Sequence, residues 1–211
     1  MPKSINLSVA AQGLIRPWPG VTFREVQIKP ESLVRLSSRN AGEPYFGRHG
    51  VYRFDDPRIA LNYTKAGPWF GTCYTANSLE VAFAETMLHD AVLTGPHYQV
   101  SAALLDARFV VEFKGKPLKL ADMTGPALKA LGLTGALSTI VPYRIPQRWA
   151  LAAHAAGFDG IQYVSRHLNT AMAFALFDRA ASKIAASRYT PWSLHPDAGN
   201  VEAALNVQRM I

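Results

Sequence analysis

Apolar residues recur at helical spacing in two strong places along this chain and at strand spacing in several more. Between residues 77 and 90, Leu79, Ala82, Phe83, Thr86 and Met87 fall on one face of a helix. Asn77 is the expected N-cap with Glu80 three positions on, and the helix is expected to end near His89 and Asp90. A second helix is expected over residues 145–157, with Pro146 near its first turn and Gly157 as its stop. Residues 124–131 read as a short helix closed by Gly132. Residues 56–69 read as a short helix followed by a turn at Gly67-Pro68. Extended segments are expected at 32–38, 50–56, 70–76, 97–107, 108–113, 117–122, 159–165 and 172–178. Residues 39–50 carry the glycines and proline of a loop, and the tail after Ser182 follows no clear period.

Strands outnumber helices and mostly arrive in runs, so the expected class is α+β, with a mainly antiparallel or mixed sheet and flanking helices. At 211 residues, the expectation is one domain with an ample core. Its core is expected over about 32–178, with an N-terminal arm 1–31 wrapped around it and a C-terminal extension 179–211. Hydrophobic residues at 49% and charged residues at 18% exclude an intrinsically disordered chain. Neither a signal peptide nor a stretch approaching the roughly 20 apolar residues of a membrane span is visible, so a cytoplasmic protein is expected. Basic residues number 22 against 15 acidic ones, a net +7 that favours anionic partners. The basic residues are scattered with no run of five, which argues against a nucleic-acid-binding protein without removing it as an alternative.

Standard signatures are missing: no GxGxxG, no P-loop and no GxSxG elbow occurs. One cysteine, Cys73, in an apolar strand reads as a small buried hydrophobe. The six histidines form no HxxxH spacing and there is no CxxC, so no metal is expected.

Five residues stand out instead. Arg35 and Arg53 sit inside apolar segments, LVRL and VYRF; Tyr74 lies on the strand leading into the first helix; Glu85 is placed off that helix's polar side; and Ser165 closes DGIQYVS. Each has a plain structural reading: arginine stems lying on apolar surface, a core tyrosine, a boundary carboxylate, a turn-capping serine. A partly buried carboxylate nevertheless needs a cationic or hydrogen-bonding partner. As a set they suit one task. Arginine forks hold a pyrophosphate bidentately. An aromatic ring stacks on a cationic nicotinamide. A carboxylate stabilises the oxocarbenium-like centre formed when the glycosidic bond breaks. A serine hydroxyl orients ribose or amide.

The order of motifs also resembles the RES domain, named for its arginine, glutamate and serine. Its RF dipeptide, YLA strand, S-x-E-x-A link, A-x-x-E helix and YDGI-x-Y strand correspond to Arg53-Phe54, Tyr74-Thr75-Ala76, Ser78 with Glu80 and Ala82, Ala82 with Glu85, and FDGIQYVS ending at Ser165. Arg35 matches the arginine of the family's first strand. The resemblance implies an ADP-ribosyltransferase-like fold and the toxin of a bacterial toxin–antitoxin pair. NAD+ is then a substrate, its nicotinamide–ribose bond cleaved by a glycohydrolase, phosphorylase or mono-ADP-ribosyltransferase, with no metal. ADP-ribose passes to water, phosphate or a protein target. The implied partner is an Xre-type helix-turn-helix antitoxin, with neither membrane nor nucleic acid. By the same resemblance Glu85, Arg35, Arg53 and Tyr74 are catalytic, and Arg35, Arg53, Tyr74 and Ser165 bind NAD+. The stretch between Arg53 and Tyr74 is longer than the family pattern, so residues 57–73 are expected to form an inserted lid or acceptor-binding loop. A catalytically inactive, partner-binding domain is the remaining alternative.

Overall fold

In the computed structural model the described residues are Trp18, 20–65, 67–89, 91, 93 and 95–210. Residues 1–17 of the expected arm, and Asp90 at the expected helix end, lie outside them.

Eight strands form one sheet. They are β1 (Glu25–Ile28), β2 (Val34–Ser37), β3 (Thr72–Ala76), β5 (Phe109–Gly115), β6 (Leu118–Met123), β7 (Gly160–Val164), β8 (Met172–Phe177) and β9 (Ile184–Pro191). Their order is β1-β6-β7-β8-β3-β2-β5-β9, and only β6 and β7 run parallel. Two further strands, β4 (Tyr98–Ser101) and β10 (Val207–Met210), pair parallel beside it. The helices among the described residues are α1 (Pro57–Ala60), α2 (Leu79–Met87), α3 (Ala102–Asp106), α4 (Gly125–Ala130), α5 (Arg144–Ala155) and α6 (Ala198–Ala204). The mixed, mainly antiparallel sheet with flanking helices is the class the strand-rich pattern predicts.

Central strands β3 and β8, TCYTA and MAFALF, are covered on both faces and so read as nearly continuous apolar runs. One face carries Leu36, Phe54, Phe83, Trp149, Tyr163 and Trp192 under α2, α5 and α6. The other carries Leu33, Cys73, Val111, Phe113, Leu120, Phe174 and Leu176. Gly160, inside the FDGI sequence, permits the tight β7–β8 approach: a Cβ there would lie 2.5 Å from the Ala175 carbonyl oxygen. Asp159 beside it accepts from the Lys119 amide at 2.8 Å and from Lys183 Nζ at 2.6 Å, tying β7 to β6 and to the start of β9.

Several local expectations are corrected. Residues 50–56 form turns rather than a strand, because Asp55 Oδ2 accepts from the Val51 and Tyr52 amides at 3.2 and 3.1 Å and closes the backbone on itself. The segment 97–107 changes from strand to helix at Ser101, whose hydroxyl caps α3 through the Leu104 amide. The N-cap of α2 is Ser78, accepting from Val81 N, while Asn77 Oδ1 accepts from Met172 N across the strand. Helix α2 ends at Met87. The segment before residue 31 supplies edge strand β1 and the core ring of Phe23, and the tail supplies edge strand β9. Trp192, fully buried, donates from Nε1 to Glu202 at 2.7 Å and pins the tail to the core.

Candidate functional site

β2 meets β3 through one residue pair, Val34 with Ala76, although it pairs with β5 through four. Beyond that pair the strands part and a cleft of about 520 Å³ opens over them, within the roughly 300–1,000 Å³ of small-molecule sites. Arg35 occupies the parting. Its Nη1 donates to the Tyr74 carbonyl at 2.7 Å, taking an acceptor that a ladder amide would otherwise use. Its Nε lies 3.3 Å from Glu43 Oε1, an ion pair outside hydrogen-bonding geometry. Glu43 is buried and held in turn by the Ser37 hydroxyl at 2.6 Å and the Tyr45 amide at 2.7 Å. Cys73 sits beneath Arg35 with no exposure, and burial pushes its thiol up to about 11, which makes it an inert packing group.

Arg53 enters from the turn that replaces the expected strand. Tyr74 accepts from the Phe54 amide at 2.9 Å and donates to Asp55 Oδ1 at 3.0 Å, so β3 itself anchors the Arg53-Phe54 pair. Burial raises the Asp55 carboxyl and pushes the Tyr74 phenol well above its usual range, which keeps that phenol protonated as a donor. From α5, Gln147 Nε2 donates to the Gly50 and Tyr52 carbonyls and braces the turn. Arg53 Nη1 donates to the Leu137 and Ile140 carbonyls at 3.2 and 3.0 Å, and its guanidinium carbon lies 4.5 Å from the centre of the Tyr143 ring. Its Nη2 is buried without a hydrogen-bond partner among the described residues, and burial lowers its pKa.

Glu85, on α2, is partly buried in the cleft wall. The Ser165 hydroxyl donates to its Oε1 at 2.7 Å. Ser165 is 1% exposed, and its oxygen also accepts from the His167 and Leu168 amides at 3.2 and 3.4 Å. The hydroxyl is therefore committed in both directions, holding the carboxylate from behind rather than lining the cleft. Arg35, Arg53, Tyr74 and Glu85 all line the cleft, with Ser165 behind Glu85.

Other lining residues carry no sequence signal that marked them. Arg39 lies 3.9 Å from the centre of the Tyr45 ring, and Arg108 precedes β5 with its Nε buried and unpartnered among the described residues. The Tyr52 ring meets the Tyr74 ring edge-on at 6.1 Å. Only the folding of β2 against β5, and of the 50s turn over β3, brings these side chains together.

Glu85, His89 and His167 offer ligand atoms within 4.8 Å of one another. The group joins a carboxylate to two histidines that lie far apart in the sequence, so no local histidine or cysteine spacing marks it. Two nitrogens and one oxygen suit a zinc-type cation. Arg166 donates through Nε to His167 Nε2 at 3.0 Å and through Nη2 to the His89 carbonyl, so a guanidinium stands beside that group and opposes a cation.

Among the described residues no helix is long and apolar enough to cross a membrane. No curated protein matches the chain. Among solved structures, the crystal structure of the M. tuberculosis MbcT–MbcA toxin–antitoxin complex contains a chain that aligns with a TM-score of 0.61 at 14% identity, over 92% of this chain and 97% of that one. That likeness is one of fold. The RES domain model matches residues 21–197, spanning the cleft, the Arg53 turn, the Glu85–Ser165 pair and seven strands of the sheet together with β9, and the chain belongs to the RES domain family.

Proposed function

We propose that this chain is the toxin of a toxin–antitoxin pair and that it cleaves the nicotinamide–ribose bond of NAD+ in the β2–β3 cleft. One observation carries the reading. Glu85 is the sole carboxylate among the described residues lining a cleft whose other charged groups include Arg35, Arg39, Arg53 and Arg108. Four guanidiniums match a ligand rich in phosphate, and one carboxylate matches a single centre of developing positive charge.

In the proposed reaction the C–N bond electrons move to the pyridinium nitrogen, nicotinamide leaves neutral, and positive charge develops at the ribose carbon. Glu85 stabilises that charge, and Ser165 keeps its carboxylate aimed. Arg53, which lines the cleft and has no carboxylate partner among the described residues, holds the pyrophosphate, while Arg35 shapes the cleft and adds its field. Tyr74 and Tyr52 offer rings to the nicotinamide. Water, phosphate or a protein side chain then adds to the ribose carbon and releases a proton. An antitoxin of the Xre helix-turn-helix kind is the proposed partner, seated over the cleft so that NAD+ cannot enter. The solved toxin–antitoxin complex of like fold supports that assembly.

The test is to incubate purified protein with NAD+, with and without phosphate or cell lysate, and to measure free nicotinamide and the ADP-ribose product. Release by the wild type and none above background by Glu85→Gln is the expected result. No nicotinamide under any acceptor condition would refute the reading.

A further inference from the structure

The proposed reaction leaves a proton to be taken from the acceptor, and few of the described groups lining the cleft can take it. Its arginines are permanent cations. Phenols stay protonated near neutral pH, and burial pushes those of Tyr74 and Tyr163 further from ionising. Glu85 must keep its charge for the ribose centre. Imidazole is the side chain whose basicity suits proton uptake near neutrality, and two histidines line the cleft, His49 and His89. His49 packs edge-on against Tyr52 at 5.8 Å, whereas His89 stands beside Glu85.

Helix α2 sets that position. The Leu88 amide donates to the Ala84 carbonyl at 3.1 Å, so the helical path runs past Met87. His89 then follows Glu85 at the i, i+4 spacing that puts two side chains on one face. A ring nitrogen of His89, a carboxylate oxygen of Glu85 and a ring nitrogen of His167 lie within 4.8 Å of one another. One oxygen atom at about 2.8 Å from each of two groups bridges up to about 5.6 Å, so a single acceptor oxygen can touch Glu85 and His89 together. The segment after β7 holds both residues in place. Ser165 donates to Glu85, and Arg166 donates to the His89 carbonyl and, at 3.0 Å, to His167 Nε2. That guanidinium opposes a resident metal, but a proton only passes through.

We propose that His89 is the catalytic base that takes the proton of an attacking O–H group, water in the simplest case, as its oxygen adds to the ribose carbon. The carbon–oxygen bond forms and the carbon–nitrogen bond breaks, its electron pair leaving with nicotinamide. The O–H proton passes to an imidazole nitrogen and then to solvent. This proposal rests on the NAD+ reading of the cleft and deepens it, naming the acceptor's class and the residue that receives its proton.

The experiment measures nicotinamide release from NAD+ in phosphate-free buffer, with and without sodium azide, by wild type, His89→Gln, His89→Ala and Glu85→Gln, each checked for a native melting transition. Arg166 holds the main chain at residue 89, so replacing the ring leaves that contact in place. With water as acceptor, His89→Gln is expected to lower kcat about 10²-fold while KM stays within about threefold. Azide adds through an unprotonated nitrogen and needs no base, so it should bring His89→Gln to within about threefold of the wild type. Imidazole in solution should restore part of the rate of His89→Ala. Glu85→Gln should stay slow with either acceptor, because the ribose charge develops in both. Undiminished hydrolysis by His89→Gln, or an equal loss with water and azide, overturns the proposal and leaves the NAD+ reading standing. A wild type active only when phosphate is supplied also overturns it, since the phosphate dianion brings an oxygen with no proton to lose. A wild type that releases no nicotinamide under any condition overturns both readings.

Discussion

Around Arg35 the protein absorbs the guanidinium. The Tyr74 carbonyl takes one N–H, Glu43 takes the charge, and Glu43 is itself gripped by Ser37 and Tyr45. Around Arg53 the protein uses only one side of the fork, on the Leu137 and Ile140 carbonyls, and leaves Nη2 buried without a partner. Two arginines in similar apolar sequence settings thus end in opposite states. Desolvating a guanidinium is costly unless its donors are met. Arg35 has its charge met by Glu43 within the fold, although its Nε makes no hydrogen bond, and it holds two strands apart; Arg53 has no carboxylate partner among the described residues, and one nitrogen of its fork is unmet. Glu85 belongs with the second kind, oriented by Ser165 on one oxygen and open to the cleft.

The contrast can be broken by substitution. Glu85→Gln, which removes the charge and keeps the shape, is expected to lower kcat by at least about 10²-fold with the melting temperature nearly unchanged. Arg35→Ala should act first on stability, since it strands a buried Glu43 carboxylate. A loss of about 3 kcal/mol, read as a melting point lower by about 6–12 °C, is expected. Arg53→Lys should do the reverse, moving the melting point by less than about 3 °C while lowering kcat/KM for NAD+ roughly tenfold. If Arg53→Lys unfolds the protein and Arg35→Ala merely raises KM, the assignment of the two arginines is inverted. Ser165→Ala sharpens the same point for the carboxylate. It should reduce kcat about tenfold with KM for NAD+ little changed, because it frees the Glu85 side chain without removing it.

The smallest effect concerns a histidine outside the cleft. His154 is stacked on Phe70 at 4.5 Å, and burial, reinforced by Arg179, lowers its pKa from 6.5 to about 4. The fold therefore favours the neutral ring. This stabilisation is complete above pH 6.5 and is lost as pH falls from there toward 4, where the folded state also takes up the proton. Screening at its partly exposed edge reduces the effect to about 1 kcal/mol by pH 5. The melting point should fall by about 2–4 °C between pH 7 and pH 5, and His154→Gln should flatten that slope.

Much of this architecture is written in local pattern. The α2 stripe, the α5 stripe with Gly157 at its end, and the apolar runs of β3 and β8 all follow from spacing alone, because each is decided by neighbours within a few residues. The 50s turn is not. Its alternation is that of a strand, and it curls because Asp55 accepts from the Val51 and Tyr52 amides and the Tyr74 hydroxyl, distant in sequence, accepts from the Phe54 amide. For the site, the residue types of Arg35, Arg53, Tyr74, Glu85 and Ser165 were legible as chemistry, but their duties were not. Nothing around Arg108 in ALLDARFVV separates a cleft residue from a turn residue. Likewise, Glu85, His89 and His167 join only when the β7–β8 loop reaches α2.

What the amino-acid order determined alone was the set of elements, the strand-rich mixed class and the list of chemically capable side chains, since periodicity and residue type are local properties. Which cation is absorbed and which is left for a ligand, which hydroxyl faces the cleft and which stands behind a carboxylate, was decided by tertiary structure. Those outcomes depend on burial and hydrogen-bond partners that arrive from distant strands, and the free energy of a buried charge is set by such partners rather than by its neighbours in sequence.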